Sequence, residues 1–381
     1  MSLTEQLERL AAFEPSPFPV VSLYLNTRAG QHGRDEHDAF VRKEFKARSR
    51  TYPANSPERS SLERDLDRIS RFLAAELQPS SNAAAIFACS ACDLFETQQL
   101  GAPFDRHSLY VGDRPHLYPL ARIQSQRPRY AALLVDTNAA RILVFATGDL
   151  VTTREISGVK TRRTSEGGMS QARFQRHVGN FHLHHAKEVV DALERIVRQE
   201  GISQVIVAGD EVITPLLREQ MPKSLAEKIV DHVRLDTHAP VDDIVRVSLD
   251  AMRRLNERTD RDKVDAAVGA YRAGGLGLVG PEETLAALIK GQVDELLISA
   301  SLRDLKEASP EGAMANDAVL PKQAVAAAAA GESADATPGV VRLADELVAK
   351  ATQTGARITF IEDPLLLANY GGVAALLRFR V

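Results

Sequence analysis

Residues 1–126 alternate short apolar runs with longer amphipathic segments. The predicted elements are two strands and two helices, over 20–27, 83–90, 35–50 and 56–77. The helix at 56–77 starts at a serine and repeats its apolar residues at helical spacing, which is the usual pattern of a capped helix. We expect the apolar run at 117–123 to be a further strand. The pattern predicts a mixed α/β N-terminal domain.

Residues 127–258 are predicted to form a central sheet followed by a long helix. Three short apolar runs, at 130–137, 140–148 and 150–158, are separated by turn residues and favour an antiparallel meander. From 171 to 199 apolar residues return every three or four positions, as on one face of a helix. This face carries Phe174, Val178, Phe181, His185, Val189, Ala192 and Ile196. A buried strand at 203–210, a helix and a strand at 232–238 would complete a βαβ-like close.

Residues 259–381 alternate strands and helices after a connecting helix predicted at 239–258. This order predicts a three-layer α/β sandwich, with helices on both faces of one sheet. The helix from Pro281 to Lys290 starts with proline and is followed by glycine, as helix ends prefer. Residues 309–339 are rich in alanine and poor in aromatic residues, and we expect a mobile insertion there.

Composition limits the classes of function. The chain has 381 residues, 44% of them hydrophobic, and a formal net charge of −4, so any nucleic-acid contact should come from a local patch. No apolar run approaches the ~20 residues that a membrane span needs, and the first residues lack a signal pattern. We therefore expect a cytoplasmic protein with no membrane partner and no DNA partner.

The strongest local patch is a basic loop at 160–177, which leads into the long central helix. Gly167 and Gly168 would let its backbone approach a partner closely, and Ser170 could cap the helix. The cations around this turn are Lys160, Arg162, Arg163, Arg173 and Arg176. Their density favours a phosphate partner, although surface arginines often only solvate a helix face. A second basic segment, 42–50, could also contact RNA.

Candidate metal ligands are sparse in the sequence. Cys89 and Cys92 form a single C-x-x-C pair, whereas a zinc site needs about four ligands. His182 and His185 lie three residues apart, but no carboxylate stands at ligand spacing from them. We expect neither a metal nor another cofactor.

Several motifs resemble the archaeal and eukaryotic class I peptide-chain release factors and their Pelota-like relatives. GGMSQARFQRHV, from Gly167, is similar to the family's GGQ segment, and 275–299 and 355–381 are similar to its third domain. The run 20–27 stands where the family has its first S-L-Y strand. The likeness is closest to the bacterial homologues, including the Balon hibernation-factor group. It implies three domains, at 1–126, 127–258 and 259–381.

The resemblance also implies function. Such factors bind the ribosome (rRNA) and tRNA together with a translational GTPase, and their central loop enters the peptidyl-transferase centre, where its glutamine places a water against the peptidyl-tRNA ester. Here Met169 replaces that glutamine, and a methionine cannot orient water by hydrogen bonding. Gln171, two residues later, is the candidate catalytic residue. The N-I-K-S string that reads stop codons is absent from the sequence.

Three hypotheses follow from the resemblance together with these residues. The first is a release or rescue factor that hydrolyses peptidyl-tRNA in the ribosomal A site, with Gln171 orienting water. The second is a non-catalytic hibernation factor that occupies the A site. The third is a tRNA-directed nuclease, which would need an acid and base pair that the sequence does not present at a persuasive spacing.

Overall fold

The computed structural model describes residues 3–28, 37–146, 149–157, 171–306 and 337–380, with side chains omitted for 171–178. The chain divides into two compact units. One combines Met1–Gln126 with Thr259–Val381, and the other is Arg127–Arg258.

The N-terminal segment forms an antiparallel sheet with helices. Its elements are α1 (Leu3–Ala11), β1 (Val20–Asn26), α2 (His37–Ser49), α3 (Pro57–Ala75), β2 (Ala83–Cys89), β3 (Leu94–Leu100), β4 (Ser108–Gly112) and α4 (Tyr118–Gln126). The strand order is β3-β2-β1-β4. As the sequence predicts, α3 starts at a capping serine: Ser56 Oγ accepts from the Arg59 amide at 3.1 Å.

The two faces of this sheet have separate apolar cores. Alternate residues of β1, such as Val21, Leu23 and Leu25, pack with α2 and α3. Tyr24 and Phe87 point to the other face, where α1 and α4 share a core with the C-terminal segment. This period-two alternation explains why β1 is apolar along almost its whole length. The N-terminal and C-terminal segments are therefore one packed unit.

The expected strand at 117–123 is wrong, because residues 118–123 lie in helix α4. Its first amides are capped by a distant side chain: Asp345 Oδ1 accepts from the amides of Leu117 and Tyr118, at 2.8 and 3.1 Å. Asp345 Oδ2 also lies 2.7 Å from His116 Nδ1, and this carboxylate is 3% exposed. A helix cap from a distant carboxylate thus decides the local structure.

The central unit is a five-stranded mixed sheet. Its elements are β5 (Tyr130–Val135), β6 (Ala139–Ala146), β7 (Asp149–Ser157), α5 (Gln171–Gln199), β8 (Gln204–Gly209), α6 (Ile213–Gln220), α7 (Lys223–Ala226), β9 (Ile229–Val233) and α8 (Val241–Arg272). The order is β7-β6-β5-β8-β9, with the predicted antiparallel meander β5-β6-β7 confirmed. β8 and β9 run parallel to β5.

Two sequence boundaries in this region are corrected by the structure. The last strand of the central sheet is β9, which ends at Val233, rather than a strand at 232–238. The connecting helix α8 continues from Val241 to Arg272, beyond the predicted end at 258. The first part of α8, through Ile244, Ala251 and Met252, packs on one face of the central sheet, and α5 packs on the other.

The C-terminal segment confirms the predicted three-layer sandwich. Its elements after α8 are β10 (Gly277–Val279), α9 (Pro281–Ile289), β11 (Val293–Ser299), α10 (Pro338–Gln353), β12 (Arg357–Ile361), α11 (Pro364–Leu367) and β13 (Val373–Leu377), in the sheet order β10-β13-β11-β12. α9 and α10 cover one face, and the end of α8 covers the other with α11.

The expected insertion at 309–339 lies mostly outside the described residues. Its last residues are corrected, because Thr337 Oγ1 accepts from the Val340 amide at 3.4 Å and α10 begins at Pro338. These residues are therefore the capped start of a helix.

Candidate functional site

The predicted basic loop connects β7 to α5. Its residues Lys160, Arg162, Arg163, Gly167, Gly168, Met169 and Ser170 lie outside the described residues. The backbone of α5 begins at Gln171, as predicted, and includes Arg173 and Arg176, whose side chains are also outside the description. The site predicted from sequence therefore stays a prediction for all ten residues.

Helix α5 packs on the central sheet through one apolar face. From Ala186 to Val197 its buried residues return every three or four positions, and they pack against alternate residues of β5, β6 and β8. Leu193 and Val189 are fully buried among Leu133, Ile142 and Val207. Each such side chain contributes about 1.5–3 kcal/mol when removed from water. The described part of α5 is thus fixed on the sheet.

His185 lies on this apolar face, as the helical spacing predicts. It is 3% exposed, and within the described residues neither ring nitrogen has a hydrogen-bond partner.

Nearby, Asp136 Oδ1 accepts from the amides of Asn138 and Ala139, and Thr237 donates to its Oδ2. Burial raises the pKa of Asp136, but these hydrogen bonds outweigh it and hold that pKa below its ordinary value. Asp136 is therefore an ionised tether for the β5–β6 turn.

An open groove of about 450 Å³ lies between β7 and α5. We call it the α5/β7 groove and define it by the charged or polar residues Arg154, His184, Lys187, Glu188, Asp191 and Arg195. All six are exposed, whereas Ile156 and Ala192 line the groove as buried apolar residues. Arg154 reaches it because β7 alternates its side chains and Ile156, two residues on, belongs to the core under α5.

The charges of the α5/β7 groove are not neutralised internally. Among the residues that the structure describes, Arg154, Lys187, Glu188, Asp191 and Arg195 make no ion pair and no side-chain hydrogen bond. Elsewhere on α5, Arg198 pairs with Glu194 one turn away, at 3.8 Å. The groove therefore presents three free cations and two free carboxylates to solvent.

Sequence reasoning missed this groove. No role was predicted for Arg154, Lys187, Glu188, Asp191 or Arg195. The signal was the spacing of 184, 187, 191 and 195, which is one helix face. The β7 side of the groove needed the strand pairing, in which Arg154 opposes Ile142.

The C-x-x-C pair lies in unit 1, where β2 ends in a short 3-10 turn. Cys89 is buried and Cys92 is exposed, and both thiols are free. Ser16 Oγ lies 3.1 Å from Cys92 Sγ. Burial, together with the neighbouring Cys92, raises the pKa of Cys89 to about 12, so that this thiol stays protonated at neutral pH. Nowhere in the described ranges do three or more His, Cys, Asp or Glu residues converge as a metal site would require.

The second basic segment is partly structural. Arg42, Lys43, Lys46 and Arg50 are exposed on or just after α2, but Arg48 is 3% exposed and lies 3.7 Å from Glu44. Arg48 therefore packs in the N-terminal core and is not available to RNA.

In the parts of the chain that the structure describes, no helix combines the length and apolar character needed to cross a membrane.

Two family models match the chain. The model described as "Bacterial archaeo-eukaryotic release factor family 10" matches residues 115–253, which include the loop and α5. The model described as "eRF1 domain 3" matches residues 265–381, the C-terminal sheet and its helices. The two matches follow one another along the chain without overlapping.

Individual relatives are distant. "Uncharacterized protein Rv2629" of Mycobacterium tuberculosis H37Rv is 24% identical over 277 residues, or 71% of each chain. The crystal structure of the archaeal translation termination factor aRF1 is 18% identical, covers 99% of this chain and 97% of its own, and has a TM-score of 0.26. Pelota of Archaeoglobus fulgidus is 12% identical, with 100% and 93% covered and a TM-score of 0.33.

Proposed function

This chain is a bacterial homologue of the archaeal and eukaryotic class I release factor and Pelota family, and from that premise we propose that it acts as a ribosome-binding translation factor in the A site. The observation that carries the proposal is the family match over 115–253, because it includes the paired glycines and the helix that follows them. In this proposal the loop around Gly167 and Gly168 reaches peptidyl-tRNA, and its cations contact RNA phosphates. A translational GTPase is the proposed protein partner and the cytoplasm the proposed location.

The proposed chemistry is hydrolysis of the peptidyl-tRNA ester with Gln171 orienting the water. An ester needs little activation, so a positioned amide in a site that excludes bulk water can supply much of the rate. We expect purified protein to release peptide from stalled ribosomes, and Gln171→Ala to abolish release without changing co-sedimentation with ribosomes. Gln199→Ala, at the exposed far end of the same helix, is the matched control. Unchanged release by Gln171→Ala would remove Gln171 from the reaction.

One sequence observation supports a second candidate, occupancy of the A site without chemistry. Met169 replaces the family glutamine and offers no hydrogen bond to water. In this case wild-type protein binds idle ribosomes and releases no peptide, and Met169→Gln gains release. Release by the wild type at the rate of Met169→Gln rejects this candidate.

The RNA contacts of the loop have their own test. We expect Arg162→Ala with Arg163→Ala to weaken ribosome binding and to lower its salt dependence by about two in the slope of log K against log salt. Lys223→Ala with Arg253→Ala removes two exposed cations elsewhere in the central unit and serves as the control. Equal behaviour of the two double variants discards the phosphate contact.

A further inference from the structure

Helix α5 has a polar face in addition to the apolar face that packs on the sheet. Along this face the charges follow the order cation, carboxylate, carboxylate, cation, at Lys187, Glu188, Asp191 and Arg195. Arg154 of β7 adds a third cation to the same groove. Lys187 and Arg195 are eight positions apart, a rise of about 12 Å along the helix axis, so their side chains can contact two different phosphates.

From this geometry we propose that the α5/β7 groove binds double-helical RNA along its minor-groove side. Lys187, Arg195 and Arg154 contact separate backbone phosphates, while Glu188 and Asp191 accept hydrogen bonds from ribose 2′-hydroxyl groups between them. The inference rests on the proposed ribosome binding of this chain and adds to it a second RNA surface, separate from the loop at 160–170.

The mixed charge of the groove is the reason for choosing RNA. A site for any polyanion would be basic throughout, and the two carboxylates would weaken such a site by like-charge repulsion. In A-form RNA, however, the minor groove is wide and shallow and presents 2′-hydroxyl donors beside the phosphates. DNA lacks these donors, so the carboxylates make the groove selective for RNA.

The placement of the groove supports the same partner. The helix that forms one wall is the helix that begins directly after the basic loop, and its sequence has further arginines at 173 and 176. The groove cations are exposed and have no partner of their own among the described residues, so an incoming phosphate displaces no internal ion pair. Each contact would release counterions from the RNA and would add to the salt dependence of binding.

The test uses the full chain with an RNA hairpin, a DNA hairpin of the same sequence, and purified ribosomes. We expect Lys187→Ala with Arg195→Ala to weaken binding of the RNA hairpin about tenfold near 0.1 M salt and to lower the salt slope by about two. Lys223→Ala with Arg253→Ala is the control of equal charge. An unchanged RNA affinity, or a wild type that binds no hairpin, overturns the inference.

A second pair of variants tests the carboxylates. We expect Glu188→Ala with Asp191→Ala to reduce the preference for the RNA hairpin over the DNA hairpin about tenfold, because the acceptors for 2′-hydroxyl groups are lost while repulsion of DNA phosphates is relieved. Equal RNA and DNA affinities of the wild type overturn the assigned role of these residues.

Ribosome co-sedimentation separates the two proposals. If the wild type binds ribosomes but the Lys187 and Arg195 variant keeps its hairpin affinity, only the groove inference fails. If that variant loses ribosome binding but keeps its affinity for the RNA hairpin, the groove contacts a ribosomal protein and the RNA assignment is overturned. If the wild type binds the RNA hairpin but not ribosomes, the proposed function fails and the groove remains an RNA site.

Discussion

The buried cluster around Asp345 and the open α5/β7 groove both contain carboxylates, but these differ in burial and in pairing. In unit 1, Asp345 is 3% exposed and gathers His116 and two backbone amides. In the central unit, Glu188 and Asp191 are exposed and, within the described chain, make no ion pair. A charged group inside a core must find its hydrogen-bond or ion-pair partners within the protein, whereas one at an open groove is solvated by water and stays available to a ligand. The first kind therefore explains stability, and the second kind is where we propose binding.

Removal of the Asp345 carboxylate is the largest expected effect. Asp345→Ala removes the acceptor of the buried Leu117 and Tyr118 amides and the carboxylate beside His116, which we expect to cost about 4 kcal/mol of the free energy of unfolding. Asp345→Asn keeps one acceptor oxygen, so we expect about half that loss. Urea unfolding followed by circular dichroism measures both.

The neighbouring Glu346→Ala is the control. Its carboxylate makes a surface pair with Arg342 at 3.4 Å and a longer one with Arg114 at 3.9 Å, contacts of at most about 1 kcal/mol. If Asp345→Ala is as mild as Glu346→Ala, the cluster does not hold α4 and the contrast with the groove is lost.

The same cluster shows where sequence reasoning ended. Helix α5 was predicted from Gln171 to Gln199 because its apolar period of three to four residues is local. Helix α4 was predicted as a strand because its local sequence shows only a short apolar run. The carboxylate that caps this helix, Asp345, is 228 residues away from Leu117. The end of α8 was placed too early because its buried side changes from Met252 in one sheet's core to Val264 in another's. Long-range partners, which no local pattern contains, decided these elements.

The candidate site follows the same rule. The basic loop, Met169 and Gln171 could be found from sequence because the motif is contiguous. The α5/β7 groove could not, since Arg154 and Lys187 are brought together only by the pairing of β7 with β6 and the packing of α5. Helical spacing gave one wall of the groove and the strand register gave the other.

Asp65 offers an intermediate case, a buried carboxyl with incomplete satisfaction. Ser90 donates to Asp65 Oδ1, while Oδ2 has no partner among the described residues. Burial raises the pKa of Asp65 to about 6, above the value of an unfolded chain, and the Ser90 hydrogen bonds only partly oppose this. The folded state therefore holds the proton more tightly, so this contribution to stability is present below about pH 4 and is lost as the pH rises through about 6.

We expect Asp65→Asn to remove this pH dependence and to stabilise the protein at pH 7 by about 2 kcal/mol relative to the wild type. The two proteins should become similar near pH 4. Urea midpoints measured from pH 4 to 8 test this, with Asp67→Asn on the exposed side of α3 as the control. A wild type whose advantage over Asp65→Asn grows with pH has the opposite sign and refutes the assignment.

The smallest expected effect completes the comparison. Lys187→Ala with Arg195→Ala should change the free energy of unfolding by less than about 0.5 kcal/mol, because both side chains are exposed and neither makes an ion pair in the described structure. Thermal unfolding beside the wild type and Asp345→Ala measures it. Neither cation is the ion-pair partner of a carboxylate among the described residues. Removing both therefore leaves no buried charge unpaired. A loss as large as that of Asp345→Ala would mean that the groove cations hold the fold, and a loss of RNA affinity in the same variant could then no longer be attributed to contact.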